Sequence, residues 1–177
     1  EFPYLESVRI TRRLPDTFVF EVTERVPCGY IDTEDQRWLI DKAGYLLERV
    51  DKTQEVQAAN ILSGEELLAP KPGGQINWKE AEKRNALVAV LQALSEHQMI
   101  GKVQQVDVSA LYSIRFTYEN RLSVLLGSTE NLGKKFTMLD VVLPQLAPTD
   151  RGELNVSNAK EARFAPEKKQ TDAAAAA

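Results

Sequence analysis

The chain has 177 residues, enough for one large domain or a small domain plus a fragment. At 43% hydrophobic and 27% charged, it has the composition of a folded globular protein, not of a disordered one. Its net charge of −4, with Lys and Arg spread along the chain, argues against a nucleic-acid surface, which needs clustered positive charge against phosphate.

In chain order, Leu14, Pro15, Asp16 and Thr17 read as a β-turn, since proline presets φ at the second position and aspartate suits the third. The turn joins residues 8–12 to 18–26, and Phe18, Phe20 and Val22 alternate with Val19, Glu21 and Thr23. This predicts a hairpin with one apolar face. A second hairpin follows, with "RWLI" and "YLLERV" joined through "DKAG"; Gly44 supplies a positive φ there and Asp41 closes the turn with its carboxylate. Residues 51–75 read as irregular, with "APKPGG" a clear loop. Asn77 and Glu80 form a variant capping box before a helix that runs to about residue 98, with Leu87, Leu91 and Leu94 at helical spacing. The strands "VQQVDV", "SIRFTYE" and "LSVLLG" come next, the last two joined at Asn120 and Arg121. A second helix over about 130–143 carries Leu132, Phe136, Leu139 and Leu143 on one stripe and stops at Pro144. The strand "ELNVSN" then leads into "EARFAP". Two helices, each apolar on one side, predict an α+β fold: a mainly antiparallel sheet with both helices on one face. The tail at 167–177 reads as disordered or artefactual and is set aside from the fold.

Chemistry is sparse. "GSTENLGKK" follows an apolar strand and opens a helix, the setting of a phosphate-binding loop. Its glycines, Gly127 and Gly133, are separated by five residues instead of four, and Lys135 stands where Ser or Thr would hold magnesium. A strand-to-helix turn capped by Ser128 or Thr129 is the expected reading. The carboxylates Asp32, Glu34, Asp35 and Asp41 lack the spacing of a calcium loop. Cys28 and His97 are the only cysteine and histidine and lie far apart, so they make no nucleophile–base pair by sequence. Cys28 is expected to pack as a small apolar residue. No catalytic, cofactor-binding or metal site is expected, and no enzyme. The remaining candidate is a surface: the strand around 154–158, with no later strand foreseen beside it, would offer free backbone groups at a sheet edge.

"FPYLESVRITRRLPDTFVFEVTERVP", "LIDKAGYLLE", "SVLLGSTENLGKKFTMLDVVLPQL" and "GELNVSNAKEARFAP" together resemble the FtsQ/DivIB family of bacterial cell-division proteins. The shared pattern is a Pro-turn hairpin ending in Glu-Arg-x-Pro, a D-x-x-G turn, a strand-Leu-Gly turn into a Lys-bearing helix, and a closing F-A-P. The resemblance covers nearly all of residues 2–166. It implies a single-pass protein of the cell membrane, anchored by an upstream helix, with a POTRA domain and a β domain outside the cytoplasm at the division septum. Residues 1–27 would be the C-terminal hairpin of a truncated POTRA and 28–166 the β domain. The orphaned face of Phe18, Phe20 and Val22 is then expected to pack on something beyond the hairpin. The implied role is a divisome scaffold that binds FtsB/DivIC-like and FtsL-like partners by strand addition at the C-terminal edge and helps control septal peptidoglycan synthesis. Carried to this chain, the partner-binding residues are Leu154, Asn155, Val156, Ser157, Asn158 and Phe164. Asn158 stands where some family members have an aromatic anchor. The alternatives are a POTRA-containing, chaperone-like module of an outer-membrane assembly or secretion machine, for which no tandem repeat is seen, and a nucleotide-dependent enzyme built on "GSTENLGKK".

Overall fold

The computed structural model describes residues 2–167. β1 (Leu5–Arg13) and β2 (Thr17–Glu24) pair antiparallel around a tip at Leu14, Pro15 and Asp16. Val8 lies opposite Val22, Ile10 opposite Phe20 and Arg12 opposite Phe18. Directly opposed residues share a face, so the ribbon has one continuous apolar side. No element among the described residues covers it, and Phe18, Phe20 and Val22 are 60%, 63% and 56% exposed.

The rest of the chain builds one nine-stranded sheet from β3 (Gly29–Asp32), β4 (Arg37–Ile40), β5 (Leu46–Val50), β6 (Ala59–Leu62), β7 (Val103–Asp107), β8 (Ile114–Tyr118), β9 (Leu122–Gly127), β10 (Gly152–Asn155) and β11 (Arg163–Pro166). The spatial order is β11-β10-β9-β8-β7-β6-β3-β4-β5. Five of the joins are antiparallel and three, β3/β6, β6/β7 and β9/β10, are parallel. Parallel neighbours need a crossover. Helix α1 (Ala81–Glu96) supplies the one from β6 to β7, and α2 (Leu132–Val142) the one from β9 to β10. The α+β reading therefore holds, with a sheet more mixed than the sequence alone indicates.

Burial alternates along the central strands. Ile114, Phe116 and Tyr118 of β8 and Leu122, Val124 and Leu126 of β9 are buried, while Arg115 is exposed. Leu87, Val90, Leu91 and Leu94 of α1 and Phe136 and Leu139 of α2 join the same core. The rings of Phe116 and Phe136 stack with centroids 6.2 Å apart. Burying each such side chain contributes about 1.5–3 kcal/mol, so the helix-covered face carries most of the core.

The turns show why the chain reverses where it does. Asp41 Oδ1 accepts the N–H groups of Ala43 and Tyr45 at 2.9 and 2.8 Å, and Gly44 takes φ +76°. Between β8 and β9, Glu119 and Asn120 both have positive φ and Arg121 N–H donates to Tyr118 C=O, the geometry that suits a right-twisted hairpin. The capping box does not form. Asn77 C=O accepts from Leu68 N–H, and Ile76 N–H donates to Gly44 C=O, so this segment is held extended and the helix waits until Ala81, with Glu80 as its N-cap. Likewise Asn131, not Ser128 or Thr129, precedes α2.

Three strands were not foreseen: β3, β6 within the supposedly irregular 51–75, and β11. The last corrects the edge. The strand at 154–158 is only Gly152–Asn155, and it lies between β9 and β11. Two side-chain turns send the chain back: Asn155 Oδ1 accepts Ser157 N–H, and Asn158 Oδ1 accepts Lys160 N–H. Residues 163–166 can then pair with β10. The tail expectation for 167–177 falls, from 168 onward, outside the described residues.

Gly152, at φ +153°, allows this pairing, because a Cβ there would run into the carbonyl oxygen of Ala165. Gly152→Ala should cost about 1–3 kcal/mol and loosen β11 selectively. Hydrogen exchange checks this: the Glu167 amide, which donates to Arg151 C=O, should exchange faster, while amides of β8 keep their protection.

Candidate functional site

A sheet has two ends, and these are unlike. At the β5 end, Leu46 N–H donates to Gly74 C=O and Leu46 C=O accepts from Gly73 N–H, while Tyr45 bridges to Gln75. The loop thus closes the first part of that edge, and Glu48 and Arg49 farther along are exposed charges, the usual devices against strand pairing.

At the other end, β11 has no further strand beside it among the described residues. Gly152 N–H and Val156 N–H donate toward β9, to Arg121 and Leu125. Backbone groups alternate direction along a strand, so residues 153 and 155 of β10 turn toward β11. Their partners are Ala165 and Arg163, and Glu167 N–H follows the same phase to Arg151. Phe164 therefore points both its N–H and its C=O away from the sheet. Pro166 shares that outward phase but has no N–H, so it ends the run of donors.

Helix α2 carries the chain from β9 to β10, the neighbour of this edge strand. Asp140 Oδ2 lies 2.6 Å from His97 Nδ1, and the Phe136 ring lies 5.4 Å from the His97 ring, which fixes the flank of α2 that faces α1. Met138 and Val142 fall on the other flank at 3.6 residues per turn, toward the β10–β11 end. Together with Leu146, Ala162 and Phe164 they are partly buried apolar residues at the rim of the core. An incoming strand would find a backbone template and an apolar shelf in one place.

The sequence-predicted residues separate accordingly. Leu154 and Val156 are completely buried in the core. Asn155 ends β10, and Ser157 and Asn158 belong to the turns before β11. Phe164 alone lies on the free edge. The sequence reading left Ala162 and Pro166 beside this edge unnamed. A proline closing a short apolar run was the available signal, since proline in a sheet favours an edge strand.

The phosphate-loop resemblance dissolves in the structure. Lys135 is buried, and its Nζ donates to the carbonyls of Leu126 and Ser128, both at 2.8 Å. Burial pushes its pKa down. The ammonium that would face a phosphate in such a loop instead ties the end of β9 to α2. Gly127 is required there by φ +72° and by the Ser157 Cβ, 2.9 Å from where a Cβ would stand. Of the acidic run, Asp32 pairs with Arg37 and Asp41 with Arg25. Among the described residues, no cluster of three or more His, Cys, Asp or Glu gathers as a metal site.

The model for "Cell division protein FtsQ/DivIB, C-terminal" matches residues 29–162. The chain is 24% identical over 158 residues to the cell division protein DivIB of Clostridium tetani, covering 88% of this chain and 59% of that protein. It is 27% identical over 158 residues to DivIB of Clostridium acetobutylicum, covering 88% and 61%. To the cell division protein FtsQ of Corynebacterium glutamicum it is 26% identical over 150 residues, covering 81% and 59%. The chain thus spans about three fifths of the length of these relatives.

Cys28 packs against the core rim, and burial pushes its thiol up to about 12, with Asp41 adding to the effect. The folded state therefore favours the neutral thiol. The stability this contributes is complete below the thiol's ordinary pKa near 9 and is lost as pH rises toward 12. Denaturant titrations from pH 8 to 11 should show wild type losing stability faster than Cys28→Ala. Tyr4, also raised to about 12, is present in both proteins and cancels.

Proposed function

The chain belongs to the FtsQ/DivIB family of cell-division proteins, and we propose that within it the protein is a non-enzymatic scaffold whose β11 edge takes a strand from an FtsB/DivIC-like partner, with an FtsL-like protein in the same assembly. The observation that carries this reading is the outward-facing backbone of Phe164 on an edge strand only four residues long, beside an apolar helix flank. The protein acts outside the cytoplasm at the septum and is held to the membrane by a helix upstream of this chain. No helix among the described residues is long and apolar enough to cross a membrane. The hairpin β1–β2 is the end of a POTRA domain, and preceding residues of the whole protein cover Val8, Ile10, Phe18, Phe20 and Val22.

Strand addition relies on main-chain hydrogen bonds for affinity and on alternate side chains for specificity. Asn158, exposed in the turn before β11, supplies no aromatic anchor, so the apolar contribution comes from Phe164 and the α2 flank. This separates two substitutions. Phe164→Ala removes the ring but keeps the outward N–H and should weaken binding to an FtsB/DivIC–FtsL ectodomain pair about tenfold, the scale of one partly buried side chain. Phe164→Pro also removes the donor and should abolish binding in the same calorimetric titration. A folded Phe164→Pro variant that binds at full strength would rule out this edge.

A further inference from the structure

The hairpin β1–β2 shares no ladder with the nine-stranded sheet, so side chains near the linker must set its orientation. Arg25 Nη1 donates to Asp41 Oδ2 at 2.6 Å, with the two side chains only 13% and 5% exposed. The guanidinium also lies over the Tyr45 ring, 3.7 Å from its centroid. Arg25 is fixed to the hairpin in turn, because its N–H donates to Tyr4 C=O at 2.7 Å. The Tyr4 phenol lies near Glu48 of β5 in a second contact, and burial, helped by that carboxylate, pushes its pKa up. Beside the joint lies a cavity of about 350 Å³, walled by Glu6 and Glu24 from the hairpin and by Lys42, Gln57 and Ile100 from the β domain. Cys28 lines it too, and stays with the β domain because its N–H donates to Ile40 and its C=O accepts from Ala59.

We propose that Arg25 and Asp41 form an ionic latch that fixes the hairpin against the β domain and, when broken, lets the hairpin swing as a unit and uncover Cys28. A charge pair largely withdrawn from water holds only while both partners are present, since either alone is a buried, uncompensated charge. Stacking on Tyr45 adds to the closed state alone. The β domain need not unfold with the latch, because Asp41 divides its work: Oδ2 faces Arg25, whereas Oδ1 closes the Ala43–Tyr45 turn. Between the two bodies lie only exposed Val26 and half-buried Pro27, which offers no backbone donor.

The single cysteine is the reporter, read as its rate of reaction with a small chromogenic disulfide at pH 8 on the folded chain. Arg25→Met keeps the aliphatic stem and removes the charge. Asp41→Asn keeps an oxygen for the turn and removes the charge. Each should raise the rate at least tenfold, and the double variant should be no faster than the faster single. Local electrostatics cannot mimic this, since losing the Arg25 charge would slow thiolate formation while losing the Asp41 charge would hasten it. Glu48→Gln, which alters only the second contact, should react at the wild-type rate. Fluorescence melts of the buried Trp38 and Trp78 confirm that the β domain is folded. An unchanged rate in folded Arg25→Met, or a double variant whose gain is the product of the two singles, overturns the latch.

Discussion

An open sheet covered by helices on one face must end twice, and the contrast between its two ends organises this molecule. Each interior strand has its backbone groups taken by neighbours, and its apolar side chains face α1 and α2. Only the terminal strands have unmet hydrogen-bonding capacity, which is a hazard wherever it is left open. At β5 the capacity is reduced by the 73–76 segment and by charged Glu48 and Arg49. At β11, among the described residues, it is left unfilled beside Phe164 and a partly apolar helix flank. That asymmetry is the physical basis for reading one end as structural and the other as a docking template.

The chain has to be arranged so that β11 can exist at all. The parallel entry of β10 requires the α2 crossover, and the turn that starts α2 is stapled by Lys135 to two backbone carbonyls. Gly127 accommodates Ser157 at close range, and Gly152 admits the Ala165 carbonyl. Lysine and glycine thus occupy the places that, in a nucleotide-binding protein, would cradle a phosphate. Here they bring β9, α2, β10 and β11 together at one corner. The same residue types serve a packing purpose because the ammonium is turned inward and desolvated.

The elements legible in the sequence were those with sustained periodicity. Leu87, Leu91 and Leu94, and likewise Phe136 and Leu139, fell where a helical stripe put them, and Ile114, Phe116 and Tyr118 alternated as a half-buried strand must. Asp41 and Gly44 announced their turn by chemistry alone. β6 escaped because a four-residue strand paired in parallel on both sides has too little length to show a period. The capping signal at Asn77 failed because tertiary hydrogen bonds to Leu68 and Gly44 competed for the same segment. The edge was assigned to the strand at 154–158 because "RFAP" is short and ends in proline. That feature is what an edge strand shows, and of the expected contacts it leaves Phe164 at the rim and Leu154 and Val156 in the core. Nothing in the sequence foretold that the Glu-Arg-x-Pro and D-x-x-G segments would meet, since Arg25 and Asp41 are related only through the fold.

The most direct test of the edge assignment is residue-resolved hydrogen exchange on the protein alone and in complex with an FtsB/DivIC–FtsL ectodomain pair. Pairing at β11 predicts that the Phe164 amide, which faces outward, becomes strongly protected, while the Arg49 amide, which faces outward at the opposite end, is unchanged. Protection at the β5 end instead, or a stable complex in which Phe164 exchanges as fast as in the free chain, would contradict it.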